Sequence, residues 1–138
     1  MKLFFFLIIP FTLFSTNIEI LNDYDLGLQK AKLENKLLYV LISSQKCKWC
    51  KKFENTTLNN DSIKDRLSKE FVVVELILEH DTIDERFKTA PIPRHYFLDL
   101  NSNIIYEALG YRDNVLFNSF MNNAQNRNKK INLKKGKK

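Results

Sequence analysis

The two cysteines of the sequence lie three residues apart, in Cys47-Lys48-Trp49-Cys50. A disulfide that stabilises a secreted protein usually closes a long loop, because the entropy removed from the unfolded chain grows with loop length. A bridge between these two cysteines would close almost no loop, and strained or exposed bridges exchange readily with other thiols. The spacing therefore favours thiol–disulfide exchange as the chemistry of this pair.

Three other uses of the pair fit the sequence less well. Covalent haem attachment requires a histidine directly after the second cysteine, and Lys51 stands there instead. A structural zinc site requires four ligands, and the two histidines, His80 and His95, do not form a second pair at ligand spacing. An inert structural disulfide is the third alternative. We therefore predict no metal site and no other cofactor.

The residues around the pair indicate which cysteine reacts. Residues 37–42 predict a strand, residues 43–46 a turn and residues 48–58 a helix. Cys47 would then lie at the amino end of the helix, where unpaired backbone N–H groups and the helix dipole favour a thiolate. Four lysines add positive potential there: Lys46, Lys48, Lys51 and Lys52. Because the thiolate is the nucleophile, we predict that Cys47 attacks and that Cys50 resolves.

The rest of the sequence predicts an α/β scaffold around this strand and helix. Residues 71–77 form an apolar run rich in β-branched side chains, as in a strand buried on both faces. Two such strands separated by a helix suggest a parallel βαβ unit. The other predicted elements are helices at residues 23–36, 60 or 61 to 67, and 113–123, and an antiparallel hairpin of residues 94–100 and 104–108.

The two ends of the chain differ from the middle. Lys2, an uncharged stretch over residues 3–14 and small polar residues after it predict a signal peptide at residues 1–16, with an uncleaved anchor as the alternative. The domain, residues 17–125, is accordingly predicted to be exported, to the periplasm or a similar compartment.

Seven of the 22 basic residues lie in residues 127–138, which contain no acid. Residues 126–138 are thus predicted to be a basic disordered tail, with contact to an anionic membrane surface as the alternative. Without the tail the chain is close to neutral, so we expect no nucleic-acid binding.

The order of elements and motifs resembles the thioredoxin-like family, and within it periplasmic domains such as the C-terminal domain of transmembrane thiol:disulfide interchange proteins. The resemblance covers about residues 22–123. The stretches that carry it are Asn35-Lys36-Leu37-Leu38, Cys47-Lys48-Trp49-Cys50-Lys51-Lys52-Phe53-Glu54 with Thr57-Leu58 and Asp61, Ile92-Pro93 before Tyr96-Phe97-Leu98-Asp99, and Gly110-Tyr111-Arg112-Asp113. It implies a thioredoxin fold, with a mixed central sheet flanked by helices on both faces.

The resemblance also implies a substrate site. It places a cis peptide bond before Pro93, beside the cysteines, and leaves the backbone of Ile92 free to pair with an extended substrate segment. Pro91 fits the spacing less well. Trp49 stands where thioredoxin has proline, and we expect it to form an apolar lip around the sulfurs. Trp49, Ile92 and Pro93 are therefore the candidate substrate-binding residues.

One position departs from the family pattern. Many thioredoxins carry a buried acid six residues before the first cysteine, and Leu41 stands there in this sequence. Glu54, four residues after Cys50, is then the nearest candidate for proton transfer, and the alternative is that it is a solvent-facing partner of Lys51 or a neighbouring lysine.

Together these features predict an exported, monomeric thiol–disulfide oxidoreductase that acts on protein thiols and disulfides. We expect it to work as a reductase that receives electrons from a membrane thiol–disulfide donor, because an exported compartment lacks a soluble reductant. The alternatives are an oxidase or isomerase of exported disulfides, and a non-catalytic peptide-binding module of the same fold.

Overall fold

The structure is a computed structural model that describes residues 17–137. The predicted signal peptide or anchor, residues 1–16, lies outside the described residues, as does Lys138. In chain order the elements are β1 (Ile20–Leu21), α1 (Tyr24–Glu34), β2 (Leu37–Ser43), α2 (Lys48–Phe53) with a π-helical turn that continues it (Glu54–Leu58), α3 (Asp61–Glu70), β3 (Phe71–Ile77), β4 (Arg94–Leu98), β5 (Ile104–Leu109) and α4 (Asn114–Lys135).

The five strands form one mixed sheet in the order β1-β3-β2-β4-β5. Strand β3 pairs in parallel with both β1 and β2, whereas β4 pairs antiparallel with β2 and β5. The predicted parallel βαβ unit and the predicted hairpin are both confirmed. Strand β1 has only two residues, which is too short for a periodic pattern to reveal.

Strand β2 is buried along its whole length, and its side chains alternate between two core layers. Leu37, Tyr39 and Leu41 belong to the layer beneath α2, α3 and α4. The even-numbered residues of the strand, beginning with Leu38, belong to the other layer, which α1 and the loop around Phe87 cover. The sheet is therefore flanked by helices on both faces, as predicted.

Side-chain caps fix where the helices begin. The backbone N–H of Leu26 donates to Asp23 Oδ1 at 2.8 Å, so Asp23 caps α1 at the predicted start of this helix. Asn60 Oδ1 accepts from the first turn of α3 in the same way. Because these bonds satisfy backbone donors that no helical carbonyl can reach, the helices start at the residues that the sequence indicated.

Helix α4 corrects the prediction for the carboxyl end. Residues 126–135, predicted as part of a disordered tail, continue this helix to Lys135. Arg127 Nη1 donates to the carbonyl oxygen of Ile105 at 3.2 Å, and its guanidinium lies 5.0 Å from the centre of the Tyr106 ring. Ile131 packs against the core as well. The run of basic residues in the sequence gives no sign of these contacts with β5. Across residues 17–137 there is no helix with the length and apolarity needed to cross a bilayer.

Helix α1 approaches β3 closely at Gly27. We expect the Gly27→Ala variant to lower the free energy of unfolding by about 1–3 kcal/mol. A Cβ at this position would overlap the Cγ2 atom of Val74, which is buried and cannot move aside. This overlap outweighs the helix propensity that alanine adds. Urea unfolding would measure the effect, with the exposed Gln29→Ala variant as a control expected within about 0.5 kcal/mol of wild type. Equal stability of the two variants would contradict the packing argument.

Candidate active site

Cys47 and Cys50 form a disulfide, with their Cα atoms 5.2 Å apart. Cys47 caps α2, and the backbone N–H of Cys50 donates to its sulfur at 3.1 Å. Cys47 is partly exposed, whereas Cys50 is fully buried. The geometry thus gives the first cysteine access to a substrate and denies it to the second.

The turn that leads into Cys47 is held by Glu79. Its carboxylate accepts from Ser44 Oγ at 2.5 Å and from the backbone N–H of Gln45 at 3.2 Å. Ser44 Oγ accepts in turn from the N–H of Lys46 at 3.1 Å, and its carbonyl oxygen accepts from the N–H of Cys47. These bonds fix the direction in which Cys47 enters the helix.

A groove of about 340 Å³ opens beside the disulfide. Its lining consists of Trp49, Ile92, Pro93, Gly110, Tyr111 and Arg112. The Ile92–Pro93 peptide bond is cis, as the resemblance implied, and the Ala90–Pro91 bond, for which no cis form was predicted, is cis as well. The structure therefore brings the three predicted substrate-binding residues into one groove, while their binding of a substrate stays a prediction.

His95 fixes the backbone of Gly110, which lines this groove. Its Nε2–H donates to the carbonyl oxygen of Gly110 at 2.9 Å, so its Nδ1 accepts from the Tyr39 hydroxyl, also at 2.9 Å. The N–H of Gly110 donates to the carbonyl oxygen of Pro93 at 2.8 Å. Burial lowers the pKa of His95 to about 4, and the histidine is therefore neutral at physiological pH.

Trp49 forms the exposed wall of the groove. Its side chain is 53% exposed, and its ring lies 6.0 Å from that of Tyr111 between centroids. Lys52 Nζ lies 5.2 Å from the centre of the Trp49 ring and 4.6 Å from that of Tyr111. A cation at this distance from two aromatic faces is attracted by both. This wall of the groove is therefore both aromatic and positively charged.

A pair of glutamates lies on the other side of α2. Glu54 accepts from Ser43 Oγ at 3.1 Å, and Glu75 on β3 lies close enough for the two carboxylates to interact. Desolvation, and then the charge of Glu54, raises the pKa of Glu75 to about 7. None of the ion pairs among residues 17–137 includes Glu54, so the alternative of a lysine partner is not supported.

Glu75 is the candidate residue that the sequence analysis missed. In the sheet it pairs in register with Leu41, the position where the resembled family carries its acid. Its side chain points to the same face as Leu41, towards α2, because Phe71 and Val73 of the same strand face that layer. The available signal was the single charge within the apolar run of residues 71–77. That signal acquires meaning only once the register of the two strands is known.

The described residues offer no metal site. Among residues 17–137, no three His, Cys, Asp or Glu side chains are grouped so that they could hold an ion.

A mixed five-stranded sheet, a Cys-x-x-Cys disulfide at a helix amino end and an adjacent cis-proline groove define a redox-active thiol protein. A family model described as thioredoxin-like domain matches residues 24–125, and the chain belongs to this family. The chain is a thiol–disulfide oxidoreductase with the thioredoxin fold. None of the curated proteins compared with it matches the sequence.

Solved structures share the fold at low sequence identity. A thioredoxin from Thermus thermophilus superposes with a TM-score of 0.62 at 18% identity, over 74% of this chain and 82% of that one. A protein described as DsbH oxidoreductase gives 0.59 at 17% identity, over 78% and 84%. A poplar thioredoxin h gives 0.61 at 14% identity, over 76% and 94%. The predicted thioredoxin fold is thereby confirmed.

We expect the buried glutamate pair to make the stability of the oxidised protein depend on pH. The pKa of Glu75 in the folded protein, about 7, lies above the ordinary value of 4.5 expected for the unfolded chain. Its stabilising contribution is therefore complete below that ordinary value and is lost as the pH rises through about 7. Urea unfolding at several pH values should show a fall in stability between about pH 5 and about pH 8 that is smaller in Glu75→Gln.

Glu85→Gln is the matched control, because Glu85 is exposed and this change removes the same charge. We expect the control to keep the wild-type pH dependence. A Glu75→Gln protein with the same pH dependence as wild type would contradict the assignment.

Proposed function

We propose that this oxidoreductase works in an exported compartment, the periplasm or its equivalent, as a reductase of protein disulfides. The observation that carries the exchange mechanism of this proposal is the asymmetry of the two sulfurs, since a partly exposed Cys47 begins the helix and a buried Cys50 lies one turn inside it. An attacking thiol must reach the substrate, whereas a resolving thiol needs to reach only its neighbour.

The reaction starts from the reduced dithiol. The Cys47 thiolate attacks one sulfur of a substrate disulfide, and the other substrate sulfur leaves as a thiolate. Cys50 then loses its proton and attacks the Cys47 sulfur, which releases the second substrate thiolate and forms the Cys47–Cys50 disulfide. Two electrons pass from the protein to the substrate. The Cys47–Cys50 disulfide in the structure corresponds to the product of this reaction.

Charges around the helix support a thiolate at Cys47. The lysines nearest in sequence, Lys46, Lys48, Lys51 and Lys52, are all exposed, and among residues 17–137 none of them takes part in an ion pair. Their potential and that of the helix amino end both favour the negative form of the sulfur.

The proton of Cys50 has an acceptor in the glutamate pair. The backbone N–H of Glu54 donates to the carbonyl oxygen of Cys50, which puts Glu54 one helical turn beyond the buried thiol. Since the pKa of Glu75 is about 7, the pair can take up and release a proton near neutral pH. We therefore assign proton transfer to Glu54 and Glu75 together.

Reduction of many substrates requires a supply of electrons. An exported compartment provides no soluble reductant, so the proposal includes a membrane thiol–disulfide protein that reduces the Cys47–Cys50 bridge again. The lysines near the end of α4, Lys129, Lys130, Lys134 and Lys135, would favour an anionic membrane surface. This contact, like the monomeric state, stays a prediction.

The Cys50→Ala variant tests the exchange mechanism. Without the resolving thiol, the mixed disulfide with Cys47 cannot break internally, and we expect it to accumulate when the reduced variant meets a model protein with an exposed disulfide. Non-reducing electrophoresis and mass spectrometry would detect the adduct. Cys47→Ala is the matched control and should form little adduct, because Cys50 is buried. A Cys50→Ala protein that forms none would favour a peptide-binding module instead.

The direction of exchange can be measured separately. We expect the Cys47/Cys50 couple, equilibrated with glutathione and quantified by alkylation, to have a potential of about −270 mV, as in thioredoxin. A value of about −120 mV would contradict a reductase and favour an oxidase.

A further inference from the structure

Two cations border the groove beside the disulfide. Arg112 lines it directly, and Lys52 lies over the Trp49 and Tyr111 rings that form its wall. Lys48, between Cys47 and Trp49 in the sequence, is exposed at the same end of α2. A ligand in the groove therefore meets positive charge on the side of the aromatic wall.

Neither bordering cation is neutralised by an acid of the described chain. None of the ion pairs among residues 17–137 includes Lys52 or Arg112. Arg112 donates from Nη1 to the carbonyl oxygen of Tyr111 at 2.7 Å, which leaves other N–H groups of its guanidinium for a ligand. The adjacent acid, Asp113, accepts from the N–H of Leu116 as the cap of α4.

The acids of the site lie elsewhere. Glu54 and Glu75 line a second cavity, together with Ser43, Lys46 and Lys51, and this cavity shares no lining residue with the groove. The positive charge of the groove is therefore not compensated by the glutamates that we assign to proton transfer.

The backbone that lines the groove is also held in place before any substrate binds. Thr57 Oγ1 donates to the carbonyl oxygen of Arg112 at 2.7 Å, and His95 holds Gly110 through its carbonyl oxygen. Because the backbone on either side of Tyr111 is already fixed, binding orders little of the protein.

We propose that this groove selects disulfides flanked by aspartate or glutamate, so that the substrates are acidic, extended segments of partner proteins. Arg112 binds a carboxylate next to the substrate cysteine, and Lys52 adds attraction from the aromatic wall. Charge-assisted hydrogen bonds from a guanidinium to a carboxylate are strong and directional, and complementary charge also speeds the encounter. The inference rests on the proposed function, because it concerns the substrate of the same cysteine pair.

The test compares two synthetic disulfide-bonded peptides that differ only in glutamate or lysine beside the cysteines. The protein is first reduced with a dithiol and desalted, and the release of peptide thiols is followed by chromatography over a single turnover. At low salt we expect the rate constant for the glutamate peptide to exceed that for the lysine peptide by about tenfold or more. This ratio should shrink towards one in high salt.

Variants identify the residues responsible. Arg112→Gln and Lys52→Gln should each reduce the ratio of the two rate constants several-fold, and Arg112→Lys should keep part of it. Because each ratio is measured on one protein, a change in the reactivity of the Cys47 thiolate cancels. Lys32→Gln, an exposed change of the same charge on α1 across the sheet, is the matched control and should leave the ratio unchanged.

The outcomes separate the two levels of the proposal. Equal rates for the two peptides in the wild-type protein, or a ratio that both glutamine variants leave intact, would overturn the inference while the exchange activity stands. A protein that reduces neither peptide would overturn the proposed function, and the inference with it.

Discussion

The docking of the helix over residues 48–58 onto the sheet is the constraint on which the site depends. Cys50, Phe53 and Thr57 follow one another at helical spacing and are all fully buried. The Phe53 ring packs edge-on against the rings of His95 and Phe117, at 4.8 and 5.0 Å between centroids. Cys50 shares the buried face with Phe53, whereas Cys47 caps the helix at its partly exposed amino end. The difference between the two sulfurs is thus a consequence of packing.

Much of the fold could be predicted because its central elements carry strong local patterns. Strand β3 has the predicted bounds, and β2 exceeds its predicted end by one residue, since both are apolar runs flanked by polar residues. The far half of α4 could not be predicted in this way, because its sequence is polar and its support comes from another element. The bond from Arg127 to Ile105 joins residues that only the folded chain brings together. A stretch of lysine and asparagine near the end of a sequence has the same local pattern whether or not such a bond holds it to the sheet.

The residues of the site also differ in whether a local motif or a long-range contact reveals them. Cys47, Trp49 and Pro93 could be predicted because each belongs to a short motif, and the groove unites Trp49 with Pro93. The contribution of Glu75 depends on a strand register, and that of Arg112 depends on a loop which Thr57 and His95 hold from two sides. Information of this kind is not local in sequence, so the surroundings of the cysteines were harder to predict than the cysteines themselves.

The separation of charge around α2 has a physical reason in the chemistry of the cysteines. A fully ionised glutamate pair beside the helix would oppose a thiolate at Cys47, and this would work against the lysines. Because the pKa of Glu75 is about 7, the pair holds a proton for part of the time at neutral pH and carries less than its full negative charge. Burial of Glu75 thereby limits the repulsion on the thiolate, and it is also what would let the pair accept the proton of Cys50 in the proposed mechanism. The same half-buried strand position that costs stability at high pH thus makes an acid compatible with a nucleophilic sulfur.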